Sequence, residues 1–265
     1  PEMVKTALIR GAFEYSGQKC SAASRAYLPR SLWNAVKDDL IAQTEALAVG
    51  DVRDLTNFTS AVIDERAFVK LSGAIDAAKA SGDAEIVAGG SYDRSEGWYV
   101  RPTLITSDNP HQDIFTTEYF GPILGIMSAK TLDEAIDIVN EVDYGLTSGL
   151  HSLDRDEIGR WLERIEAGNV YVNRGITGAI VRRQPFGGWK KSAIGAGTKA
   201  GGPSYLYGLV DWQDAPLETD VQAARPGVAR LLSAAQQAGI AGAELDWLRA
   251  ALGSDSAAWA DEFGI

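Results

Sequence analysis

One cysteine stands in the 265-residue chain, Cys20, within Phe13-Glu14-Tyr15-Ser16-Gly17-Gln18-Lys19-Cys20-Ser21-Ala22. A single thiol excludes an intrachain disulfide and a multi-cysteine metal site, so its role is individual. Taken alone, a lone cysteine reads first as a small buried hydrophobe and only second as a nucleophile. Its neighbours point to the second: Lys19 and Arg25 are close enough in sequence to favour a thiolate, and Gly17 lets the backbone turn tightly around a reacting centre. A thiolate suits an aldehyde. It adds to the carbonyl, the thiohemiacetal expels hydride to a nicotinamide, and a thioester remains for water to cleave.

Two further segments could serve that chemistry. Glu118-Tyr119-Phe120-Gly121-Pro122 opens an apolar run at Ile123, where a carboxylate could accept hydrogen bonds from a ribose diol or simply be a solvated loop residue. Gln184-Pro185-Phe186-Gly187-Gly188-Trp189-Lys190-Lys191-Ser192, preceded by Thr177-Gly178-Ala179, places glycines beside an aromatic ring. Such a loop lets a backbone amide approach a ligand while the ring walls a cavity, and it is also a common structural turn. The pair Arg182-Arg183 reads as solvated surface charge.

The elements that must position these residues alternate in period. Leu32, Trp33, Val36, Leu40 and Leu47 stripe one helix face behind Pro29 and Ser31; Ala67, Phe68, Leu71, Ile75 and Ala78 stripe a second. A short strand is expected at 85–88, the apolar stretches 98–100 and 104–105 flank Arg101-Pro102, and Ile123 to Met127 reads as a strand buried on both faces. Thr131 followed by Glu134, and Asp154 followed by Glu157, signal two capped helices. Strands follow at Leu146 to Leu150 and Val170 to Val172, the latter entered through Gly168 as a left-handed helix stop. Strand-helix-strand-helix-strand implies an α/β fold with a largely parallel sheet covered by helices. Tyr205 to Trp212 reads as one more strand. Three units are expected: 1–192, a linker and strand over 193–213, and a tail over 214–265. The tail carries eight acidic residues, three arginines and no lysine, with Val228, Leu231, Leu232 and then Leu245, Leu248, Leu252 striping two helices around Gly239 to Gly242.

Composition narrows the classes. Hydrophobic residues make up 45% of the chain and the formal net charge is −11, which argues against a nucleic-acid partner. No eighteen-residue apolar window exists, so no membrane span is expected, and a cytoplasmic location fits the absence of a signal sequence. His111 and His151 lie forty residues apart with no second ligand at metal spacing, so no metal site is expected.

Together, GQKCSA, TEYFGP and PFGGWKKS resemble, in order and separation, the cysteine loop, glutamate loop and late glycine loop of the aldehyde dehydrogenase superfamily. FEYSGQKCSAASRAY, VNRGITGAIVRRQPFGG and TKAGGPSYLYGL look most like its Δ1-pyrroline-5-carboxylate dehydrogenase branch, above all the module found in bifunctional proline-utilisation A proteins. The resemblance covers roughly residues 1 to 213. It implies Cys20 as nucleophile, Glu118 as the contact to the nicotinamide ribose of NAD with Phe120 beside it, and Ser21, Gly178 and Ala179 as the grip on a substrate α-carboxylate. Phe186 would wall the aliphatic stem of glutamate γ-semialdehyde. It further implies that the 205–212 strand extends a partner's sheet in a homo-oligomer.

The departure from that pattern lies upstream. The family places its NAD domain before the cysteine, and no GxGxxG or other phosphate-cradling loop precedes any strand here. The upstream asparagine of the family's oxyanion hole is likewise absent, a loss that typically costs about a hundredfold or more in rate. The expectation is a catalytic half, inactive alone, whose cofactor is bound mainly by a domain outside it. A non-catalytic assembly or regulatory domain is the competing reading. A cysteine hydrolase would need a histidine base, and neither histidine sits in a matching motif.

Overall fold

The computed structural model describes residues 1–180, 183–195, 199–213 and 226–252. The chain divides into two compact units, Pro1–Leu209 and Val210–Ile265.

In the first unit, helix α1 (Glu2–Phe13) leads through a 3-10 turn (Glu14–Gly17) into strand β1 (Arg25–Pro29), followed by α2 (Arg30–Glu45) and α3 (Glu65–Ala80). The two apolar stripes face inward as their spacing requires: Val36 and Leu40 on α2, and Phe68, Leu71, Ile75 and Ala78 on α3, are buried. Asp64 starts α3 by accepting a 2.8 Å hydrogen bond from the Ala67 amide, which relieves one of the helix's orphan donors. Strand β2 (Glu85–Ala88), the hairpin β3 (Tyr92–Asp93) and β4 (Tyr99–Val100), and β5 (Thr103–Thr106) come next. The short helix α4 (Asp113–Thr116) then precedes β6 (Ile123–Ala129), six of whose seven residues are buried.

These strands form one sheet in the order β1-β6-β5-β2, with β6 parallel to both β1 and β5, and β2 antiparallel at the far edge. Beyond β6 come α5 (Leu132–Asn140), β7 (Tyr144–Gly145), β8 (Thr147–Leu150), α6 (Arg155–Arg164) and β9 (Asn169–Val172). Strands β8 and β9 make a separate parallel pair. The parallel α/β reading therefore holds, but the sheet is in two pieces. The edge strands β1 and β8 line the two sides of one groove of about 430 Å³.

The capping signals act as their chemistry predicts. Thr131 Oγ1 accepts from the Glu134 amide at 3.1 Å and Asp154 accepts from the Asp156 amide at 2.8 Å. Glu134 reaches back one residue further than a capping box does, accepting from the Lys130 amide at 2.6 Å.

Two expectations are corrected. Gly168 does not have a left-handed backbone. A glycine is needed there because a Cβ would lie 1.9 Å from the Gly187 carbonyl oxygen, so the late glycine loop packs directly on it. Residues Tyr205–Leu209 form a 3-10 helix and not a strand. A strand needs a neighbour to take its ladder hydrogen bonds, and here the backbone closes local turns instead, with the Tyr205 amide on Gly202 and the Tyr207 amide on Ser204, both at 3.1 Å.

In the second unit, α7 (Pro226–Gln237) and a helical stretch over 243–252 flank a break at Gly239 and Gly242, both left-handed. This is the expected pair of helices, although 214–225 and 253–265, part of the expected tail, lie outside the described residues. Among the described residues no helix is long and apolar enough to cross a membrane.

Candidate active site

Cys20 follows the reversal that ends α1. The chain leaves the buried Phe13 and passes through three successive left-handed residues, Tyr15 (φ 57°), Ser16 (φ 54°) and Gly17 (φ 64°). Gly17 has no alternative here. A Cβ on it would stand 2.3 Å from the Gly121 carbonyl oxygen and 2.7 Å from that of Ala12. The cysteine loop is thus pressed against the glutamate loop. Cys20 itself lies in a tight turn, closed by the Ala22 amide donating to the Lys19 carbonyl at 3.0 Å, and is exposed. Ser21, beside it, is buried.

The basic neighbours are differently engaged from what their sequence proximity suggests. Lys19 pairs with Glu14 at 3.0 Å, and Arg25 donates to the Phe115 carbonyl at 2.9 Å. Lys19 is therefore matched by a carboxylate. Arg25 spends its bond on an uncharged acceptor and keeps its positive charge at the cleft wall.

Glu118 is held from below. Gly125, in the middle of β6, leaves room for α4, since a Cβ there would come within 2.9 Å of both Ile114 and Phe115. The loop leaving α4 then projects Glu118, whose carbonyl oxygen accepts from Lys70 Nζ while its carboxylate is exposed and without a partner among the described residues. Phe120 follows with φ 57°, a left-handed conformation that is strained for a bulky side chain, and remains 42% exposed. Cys20, Glu118 and Phe120 line one cleft of about 350 Å³, together with Tyr144 and the start of β8.

The remaining predicted residues stand elsewhere. Gly178 (φ 81°) and Ala179 are exposed in the loop after β9 and are not among the cleft's lining residues. Phe186 also lies outside the lining. It bonds backbone to backbone with Ala200, at 2.9 and 3.0 Å, and its loop is pinned by Asn169, which accepts from the Gly187 amide and donates to the Pro185 carbonyl. Arg182 is outside the described residues.

Sequence reasoning missed Ser16 and Thr59. Ser16 is 3% exposed and Thr59 6%, and they are joined at 2.7 Å between their hydroxyls. Nothing in the polar stretch around Thr59 marks it, because its partner is forty-three residues away.

Residues 2–213 match the aldehyde dehydrogenase family. The chain is 44% identical over 199 residues to a mitochondrial Δ1-pyrroline-5-carboxylate dehydrogenase of Dictyostelium discoideum, covering 73% of this chain and 35% of that protein. Among solved structures, it resembles the Δ1-pyrroline-5-carboxylate dehydrogenase of Mycobacterium tuberculosis bound with NAD, with TM-score 0.70, 44% identity, and coverage of 78% of this chain and 38% of that one. It also resembles proline utilization A from Bdellovibrio bacteriovorus, with TM-score 0.72, 36% identity, and coverage of 77% and 21%. The chain spans little more than a third of the curated relative's length. The match across residues 2–213 shows that this chain belongs to the aldehyde dehydrogenase family.

Proposed function

We propose that the chain carries the catalytic residues of an NAD-dependent dehydrogenase that oxidises L-glutamate γ-semialdehyde, formed by opening of Δ1-pyrroline-5-carboxylate, to L-glutamate. The observation that carries the reading is the convergence of Cys20, Glu118 and Phe120 on one cleft in a member of this family. Cys20 is the nucleophile: its thiolate adds to the aldehyde carbon, and the resulting thiohemiacetal collapses to a thioester that water hydrolyses. NAD, when bound, supplies the hydride acceptor. The exposed Glu118 carboxylate, unpaired among the described residues, fits a role as acceptor for a ribose diol, and the half-exposed Phe120 ring fits a wall beside it. Oxyanion stabilisation from this chain would come from the backbone amide of Cys20.

Ser21, Gly178 and Ala179 are assigned to the substrate α-carboxylate and Phe186 to its aliphatic stem. That assignment rests on the family motifs, because all four stand outside the cleft lining. The described strands contain no phosphate-cradling glycine loop at a strand end, so the reading gives most of the cofactor's contacts to polypeptide beyond these 265 residues, in keeping with the partial coverage of the relatives. Assembly into a homo-oligomer is part of the same proposal, supported by the exposed apolar side chains of Leu206 and Leu209.

The test is NADH formation from glutamate γ-semialdehyde, by this chain and by a polypeptide extended N-terminally with the cofactor domain. Turnover is expected only in the longer protein. Its absence in both would overturn the dehydrogenase reading in favour of a non-catalytic domain.

A further inference from the structure

The reversal before Cys20 is unfavourable in isolation. Three consecutive left-handed residues crowd Cβ against carbonyl oxygen wherever the residue is not glycine, and Tyr15 and Ser16 are not. Tyr15 is exposed and gives the turn little packing. Something else must hold it.

The holding group is a buried network with one consistent proton arrangement. The Ser16 amide donates to Thr59 Oγ1 at 2.8 Å. Ser16 Oγ lies 2.7 Å from the Ser60 carbonyl oxygen, which can only accept, so the single Ser16 hydroxyl proton is committed there. The 2.7 Å contact between the two hydroxyls must then be filled by the Thr59 proton, donated to Ser16 Oγ. Each hydroxyl therefore donates once and accepts once. Thr59 is in turn fixed by its backbone, which accepts from the Gly50 amide at 3.2 Å and donates to the Ala48 carbonyl at 3.3 Å. Two residues beyond Ser16, Gln18 accepts from the Ile63 amide at 3.1 Å, so the 48–63 loop grips the turn at two points. The next residue after Ser16 is Gly17, wedged against Gly121 beside Phe120.

We infer that Ser16 and Thr59 form a latch that positions the Cys20 loop against the Glu118 loop. They are positioning residues for the reaction proposed above, and the inference rests on that reading for its functional meaning. The latch sets where the thiol sits relative to the cofactor-side carboxylate without either hydroxyl touching substrate. Thr59 is specified by its hydroxyl, so serine replaces it and valine, of the same shape, does not.

The experiment measures carbamidomethylation of the chain's only cysteine by iodoacetamide across pH, together with amide hydrogen exchange, in the 265-residue protein. Thr59→Val, Ser16→Gly and Thr59→Ser are compared with the parent. Ser16→Gly deletes the hydroxyl while relieving the left-handed strain, so it keeps the test usable even where Thr59→Val fails to fold. The expected result in Thr59→Val and Ser16→Gly is exchange of the 16–23 and Gly121 amides faster by about threefold to tenfold, the range that one lost internal hydrogen bond spans. A displaced Cys20 pH–rate profile should accompany it, with β5 and β6 protection unchanged. Thr59→Ser should match the parent in both. Parental profiles and exchange in folded Ser16→Gly would overturn the latch, and so would a Thr59→Ser variant as altered as Thr59→Val. Alkylation needs neither aldehyde nor NAD, so failure of the dehydrogenase assay leaves this result readable.

Discussion

Gly17→Ala is the sharpest perturbation available at the junction of the two loops. The added Cβ would lie 2.3 Å from the Gly121 carbonyl oxygen and 2.6 Å from its carbon, both backbone atoms with no rotamer to yield. Normal carbon–oxygen contact is reached only about 1 Å further out, so the loops must part by roughly that amount. The φ of 64° adds about 1–2 kcal/mol for a residue with a side chain. Relieving the overlap by backbone movement adds of order 1–3 kcal/mol, giving roughly 2–5 kcal/mol in all. A displacement of about 1 Å between catalytic groups typically costs about a hundredfold in rate. The expected outcome is a fall of about two orders of magnitude in kcat/KM for the enzyme with its cofactor domain, and a clear drop in Tm for the 265-residue chain by calorimetry. Gly73→Ala is the matched control: its Cβ meets nothing within 4 Å in the middle of α3, so it should raise stability by about 0.5–1 kcal/mol and leave kinetics unchanged. Parental Tm and kcat/KM in Gly17→Ala would refute the contact between the loops.

Further outcomes follow from single sites. Cys20→Ser should abolish aldehyde oxidation in the extended enzyme with little change in Tm, since the thiol is exposed; parental rates would show the nucleophile to be misassigned. Asp64→Ala removes the α3 cap and should cost about 1 kcal/mol by urea denaturation, a loss that Asp64→Ser largely avoids. Burial lowers the pKa of His151 and leaves its Nδ1 without a partner among the described residues. The unfolded chain therefore takes up that proton first, and the site's stability contribution, full above the ordinary value of 6.5, is lost as pH falls through the lower folded value. His151→Phe should flatten the acid side of the Tm-versus-pH curve below about pH 6.5; an unchanged acid limb would count against the assignment. An aldehyde of equal length without the α-carboxylate should lose most of kcat/KM, and equal rates would remove Gly178 and Ala179 from the substrate's anion site.

Much of the architecture was legible because its causes are local. Phe68, Leu71, Ile75 and Ala78 recur on one helical face, and Thr131 and Asp154 cap the amides next in line, so period and capping chemistry are written within a few residues of each other. The 205–212 segment was misread for the complementary reason. Tyr205, Leu206, Tyr207, Leu209 and Val210 have strand composition, but a strand exists only with a neighbour for its ladder bonds. Gly168 was recognised as necessary for the wrong cause: its backbone is ordinary, and the constraint comes from the Gly187 carbonyl packed against it.

For the site, residue chemistry and motif order alone singled out Cys20, Glu118 and Phe120, which line one cleft, as candidates for a shared aldehyde chemistry. A thiol, a carboxylate and their flanking glycines are properties of the chain itself. Only the tertiary structure decided that Gly17 abuts Gly121, that Lys19 is matched by Glu14, and that the cysteine loop hangs from Thr59. Those contacts join residues distant in sequence through backbone and hydroxyl groups that nearly every segment possesses, so no spacing announces them. Folding selects them through steric fit and the cost of leaving a buried polar group unpaired.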